Sequence, residues 1–139
     1  INTMSIHIKE LFAAKFAHID LLSNTYYDTH KAKRDKEEIY TLVKGEIEKL
    51  RTDKKYIQQL ESIVNHYNNN LMQVTRDTLP QLSEMDFRLL CFIYSGFSAK
   101  AISVFTGDSV GNIYMKKSRL KTRIMQSESP NKEFILENL

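Results

Sequence analysis

Apolar residues return every three or four positions along nearly the whole chain, and only 4 glycines and 2 prolines interrupt its 139 residues. That spacing fits the turn of an α-helix and not the alternation of a half-buried strand, so the chain is expected to be all-α. With 42% hydrophobic side chains it can build the core of one ordinary domain, or of a smaller domain carrying a helical extension. Its 27% charged residues and few glycines and prolines argue against a disordered, collagen-like or loop-rich chain.

The pattern divides the chain at Pro80. Ahead of it, residues 1–79 read as a long-helix region for interaction or dimerisation. Ile8, Leu11, Phe12, Phe16, Ile19, Leu22 and Tyr26 form one stripe and predict a helix over Ser5 to His30. The stripe lapses in "THKAKRDKEE", where a loop or a solvated turn is expected, and a second helix is predicted over Asp35 to Leu50. Ile57, Leu60, Val64, Tyr67, Leu71 and Val74 then continue as an a/d heptad series, which predicts one long helix with a coiled-coil-like seam. Thr52 and Asp53 are both good N-cap types, so a break there and a continuous rod are equally compatible with the sequence. Such stripes serve either an antiparallel bundle packed on itself or a self-association surface.

From Pro80 onward the signals are sharper. Ser83 and Asp86 have the spacing of a capping box, with Leu82 as its hydrophobic staple, and Phe87, Leu90, Cys91 and Tyr94 mark a helix that stops at Gly96. Ser98 can cap a short helix with Ile102 and Phe105 on its inner face and Gly107 at its end. Asp108 and Ser109 offer cap oxygens for a third helix, on which Leu120 and Ile124 fall within about 20° of Ile113 at about 100° per residue. Three helices with a short turn between the last two describe a helix-turn-helix unit, and "SPNKEFILENL" supplies a fourth helix with Phe134, Ile135 and Leu139 apolar.

The charge distribution singles out the third of these helices. Residues 109–127 carry Lys116, Lys117, Arg119, Lys121 and Arg123 with no carboxylate, whereas the whole chain has a net charge of only +3. Met115, Ser118 and Thr122 point away from the buried edge, and Gly111, Tyr114, Arg119 and Lys121 flank them. Lys116, Lys117 and Arg123 sit nearer the packed edge, where long stems can lie on apolar surface and reach outward. A mostly uncharged strip bordered by cations suits a major groove, whose base edges lie between two rows of phosphate. An inert solvated helix would mix its charges in i,i+4 pairs.

The stretch "LSEMDFRLLCFIYSGFSAKAISVFTGDSVGNIYMKKSRLKTRI" resembles the LuxR-type (GerE-type) helix-turn-helix DNA-binding domain. Leu82-Ser83, Leu89-Leu90, Gly96-Phe97-Ser98, Lys100, Ile102, Ser109, Asn112-Ile113, Leu120 and Arg123-Ile124 stand at the family spacing. The resemblance implies a four-helix DNA-binding domain over residues 80–139 that acts in transcription regulation. Lys100, Ser109 and Asn112 would meet phosphate together with Lys116, Lys117, Arg119, Lys121 and Arg123, and Tyr114, Met115 and Ser118 would face bases. The sequence departs from the family pattern at Arg88, Ala101, Thr106, Asp108 and Lys116. Long helices leading into such a domain also resemble the C-terminal part of Bacteroidetes regulators with tetratricopeptide repeats.

The expected partners are double-stranded DNA and a second copy of the chain held through the N-terminal helices. Alternatives are a sigma-like factor on RNA polymerase, since sigma-factor region 4 shares much of the pattern, and a helical adaptor whose basic tail meets an acidic surface. Catalysis has little support. His7, His18, His30 and His66 are scattered without metal-ligand spacing, and no glycine-rich loop cradles a phosphate, so neither enzyme activity nor a cofactor is expected. The single Cys91 lies in an apolar run and asks for no oxidising compartment. No apolar stretch reaches the roughly 20 residues that span a bilayer, so this segment is expected to be cytoplasmic without membrane contact of its own. Its opening residues, "INTMSIHIKEL", suggest a fragment of something longer, such as a membrane-anchored protein.

Overall fold

The computed structural model describes residues 35–139, and the helix expected over Ser5 to His30 lies outside the described residues. Among the described residues every regular element is an α-helix: α1 (Asp35–Thr52), α2 (Lys54–Tyr67), α3 (Leu71–Thr78), α4 (Glu84–Tyr94), α5 (Ala99–Thr106), α6 (Val110–Gln126) and α7 (Lys132–Glu137). The described residues divide into two units at Asp53, residues 35–53 and the compact unit 54–139. In the first, α1 is laced along its own surface by the i,i+3 pairs Lys49–Glu46 at 3.2 Å and Arg51–Glu48 at 3.5 Å. Asp53 interrupts the helical run, which answers the question that Thr52 and Asp53 raise in the sequence.

The long seam expected over residues 57–74 is broken. Asn69 and Asn70 take left-handed conformations with φ of 52° and 59°, so α2 stops at Tyr67 and α3 begins at Leu71. Asparagine tolerates this region because its short amide can satisfy nearby backbone groups. Across the corner the Asn65 backbone carbonyl accepts from the Asn70 N–H at 2.7 Å, and the Asn65 side-chain oxygen accepts from the Gln73 N–H at 3.1 Å. As a result Tyr67 is left 42% exposed, and Leu71 and Met72 are fully buried by a helix that has turned back.

The second unit therefore joins α2 and α3 to the helices beyond Pro80. Helix α4 lies at its centre, touching α2, α3 and α5, with Phe87, Leu89, Leu90, Cys91, Phe92 and Tyr94 all buried. Each such apolar side chain contributes about 1.5–3 kcal/mol by leaving water. Its N-terminus is fixed by the capping box: the Ser83 hydroxyl accepts from the Asp86 N–H at 3.1 Å, and the Asp86 carboxylate accepts from the Ser83 N–H at 3.2 Å. At the other end Gly96, with φ of 85°, lets the Phe97 N–H reach the Phe92 carbonyl and its own N–H reach the Ile93 carbonyl. This double bond pattern is the Schellman cap, and the Phe92 and Phe97 rings meet at 6.0 Å across it. Phe105 completes a three-ring cluster at 5.4 and 5.0 Å that fastens α5 beneath α4.

Two polar devices tie α3 into this core. The Thr75 hydroxyl is fully buried and donates to the Leu71 carbonyl at 2.7 Å, so the Tyr94 hydroxyl, 3.0 Å away, donates to Thr75. Burial pushes the Tyr94 phenol up to about 12 and the Cys91 thiol likewise up to about 12, which leaves both uncharged fillers at neutral pH. Arg76 bonds Glu61 of α2 through Nε at 2.6 Å and Nη2 at 3.0 Å, and Glu84 of α4 through Nη1 at 2.9 Å. Its guanidinium also lies 4.5 Å over the Phe87 ring. One planar side chain thus spans three helices. Helix α7 packs on α3 and α6 through the fully buried Ile135.

Candidate functional site

The most closely associated pair of helices in this unit is α5 and α6, joined by Gly107, Asp108 and Ser109. Gly107, at φ 79°, ends α5 with its N–H on the Ser103 carbonyl at 2.9 Å. The Ser98 hydroxyl caps the start of α5 by accepting from the Ala101 N–H, and the Ser109 hydroxyl caps α6 by accepting from the Asn112 N–H, both at 3.1 Å. Asp108 is held by its backbone between them: its N–H donates to Thr106 Oγ1, and its carbonyl accepts from Ser103 Oγ.

Helix α6 has one buried edge. Ile113, Leu120 and Ile124 are at most 3% exposed, as their angular coincidence requires. The rest of its circumference is open, unlike that of α4: Tyr114 and Met115 are each 61% exposed, and Gly111, Asn112, Ser118, Arg119, Lys121, Thr122 and Arg123 are exposed with them. Lys117 is half-buried and Lys100 stands exposed near the start of α5. The residues expected to face bases thus share the uncovered side of α6, and the exposed cations border them.

Two site residues have internal duties. Ser109 spends its oxygen on the cap, and Lys116 Nζ binds the Asp108 carboxylate at 2.6 Å. That pair joins two of the positions at which the sequence departs from the LuxR-type pattern. Sequence reasoning notes both departures without linking them, because a contact eight residues apart across a turn follows no helical spacing rule. The Arg76 clamp is missed for the same reason, since its partners lie on two other helices.

Among the described residues no group of three or more His, Cys, Asp or Glu side chains could hold a metal ion, and no helix is long and apolar enough to cross a membrane. Comparison with family models, with curated proteins and with solved structures finds no match for this chain.

Proposed function

We propose that α5, the 107–109 turn and α6 form a helix-turn-helix unit of the LuxR-type kind, and that the protein is a transcription regulator binding specific double-stranded DNA with α6 in the major groove. The observation that carries this reading is the make-up of the open side of α6, where an uncharged strip of Tyr114, Met115 and Ser118 is bordered by Lys117, Arg119, Lys121 and Arg123, with no carboxylate from residue 109 to 127. Base edges would meet the strip and phosphates the border, with Lys100 and Asn112 reaching the same backbone. Helix α4 holds α5, and α5 and α7 together hold α6. Homodimerisation belongs to the N-terminal helices in this reading, and contact with RNA polymerase would follow from action at a promoter.

Selection from random duplexes at a stated salt concentration tests the reading. A specific site is expected to bind on the order of 10³-fold or more tighter than random DNA. Lys117→Ala and Arg119→Ala should weaken all duplexes alike and lower the salt slope by about one unit for each phosphate no longer neutralised, whereas Tyr114→Ala and Ser118→Ala should change which bases are preferred. A protein that shows no preference among duplexes would instead be a basic adaptor.

A further inference from the structure

Of the five cations on α6, Lys116 alone is ion-paired among the described residues, and its partner is the last carboxylate before the positive stretch begins. The pair is no chance surface encounter. The Asp108 backbone is fixed by Ser103 and Thr106, and the two side chains are partly sheltered, at 27% exposure for Asp108 and 39% for Lys116. The carboxylate also stands just before the N-terminus of α6, where the backbone dipoles favour negative charge.

From this geometry we infer that Asp108 is an affinity-limiting residue, a built-in substitute for a DNA phosphate that keeps Lys116 occupied. The inference rests on the DNA-binding reading of the preceding subsection. The physical reason is an exchange argument. Each of Lys117, Arg119, Lys121 and Arg123 that neutralises a phosphate would displace a cation condensed on the DNA, and release of those ions drives binding. While Lys116 stays on Asp108 it neutralises no phosphate and displaces no such cation, and moving it to a phosphate trades one fixed anion for another, which gains little Coulomb energy and leaves a bare carboxylate to attract a cation in its turn. The displaced carboxylate would then face the phosphates as a like charge, which opposes binding further. Asp108 thus removes one unit of charge from the reading helix while leaving its fold intact, and the effect falls on all sequences alike because phosphates carry no base information.

The test compares the full chain with Asp108→Asn on a random duplex and on a selected duplex, across a salt series. Asp108→Asn is expected to bind both about tenfold tighter near 0.1 M salt, with a salt slope steeper by about one unit. Lys116→Met added to Asp108→Asn should abolish that gain. Glu128→Gln, which neutralises the next carboxylate along the chain without freeing a cation, should change affinity by less than about twofold at that salt, since it adds no phosphate contact. Because the bonds that fix the turn use the Asp108 backbone, Asp108→Ala provides a second folded variant, and thermal melting verifies each. Wild-type protein that binds DNA together with folded Asp108 variants that bind no tighter would overturn the inference and leave the DNA-binding reading standing. If neither the wild type nor any variant binds a duplex, both fail.

Discussion

Charge is used in opposite ways on two helices of the second compact unit, α3 and α6. Around α3, Arg76 has every guanidinium nitrogen on a carboxylate: Glu61 and Glu84, from two helices, hold it, and these bonds, led by that to Glu61, push its already high pKa further up. On α6 the cations Lys117, Arg119, Lys121 and Arg123 extend from the helix with no carboxylate on their own helix to meet. An arginine that bridges acids on two other helices, one of them the partly buried Glu61, contributes to cohesion. A row of cations left without such acids lacks that cohesion and repels itself. The contrast separates a cation tied between helices from cations that have no carboxylate on their own helix.

Substitutions can break or sharpen this contrast. The largest effect is expected within α6 itself: Leu120→Ala should cost about 2–5 kcal/mol by opening a cavity, while Arg119→Ala beside it should stay within about 0.5 kcal/mol of wild type. Chemical denaturation of both variants measures the difference. Comparable losses would mean that the exposed side of α6 is structural.

Next in size is Arg76→Met, with an expected loss of about 1–2 kcal/mol. Most of it should come from Glu61, because Glu84 is 81% exposed and well screened. The pH dependence gives a sharper signature. The Arg76 hydrogen bond holds the Glu84 carboxyl below its ordinary value, so this stabilisation is present at neutral pH and is lost as acid takes the carboxyl down through its depressed folded value. Melting temperature should therefore fall more steeply on acidification in the wild type than in Arg76→Met. Parallel profiles would show that the clamp is energetically idle.

The smallest of the three is Thr75→Val, which leaves the Tyr94 hydroxyl without its acceptor inside the core. A loss of about 1 kcal/mol is expected, largely absent when Tyr94→Phe is already in place. A double-mutant cycle reads that coupling directly.

Features governed by neighbours in sequence were the legible ones. Ser83 with Asp86, Gly96, Ser98, Gly107 and Ser109 announce helix ends because a cap is made by residues within a few positions of it. The buried edge of α6 was equally readable, since Ile113, Leu120 and Ile124 are set by the helical repeat alone. The heptad count over residues 57–74 misled for a physical reason: periodicity records which residues are apolar and is blind to a corner placed between them. The signal was present as "NNN" at residues 68–70, a run with poor helix propensity and unusual tolerance of positive φ. What no local rule could supply were the pairings of Arg76 with Glu61 and Thr75 with Tyr94, which depend on how the helices are arranged, and that of Lys116 with Asp108, which depends on the path of the turn before α6.

The asparagine corner between α2 and α3 has a further consequence. Loops usually accept an added residue at little expense, but here one insertion would turn α3 by about 100° relative to its neighbours if the helix kept its start in register with the corner. Thr75 and Arg76 would then swing off Tyr94, Glu61 and Glu84 together. The length of that corner is therefore a phase setting rather than a spacer.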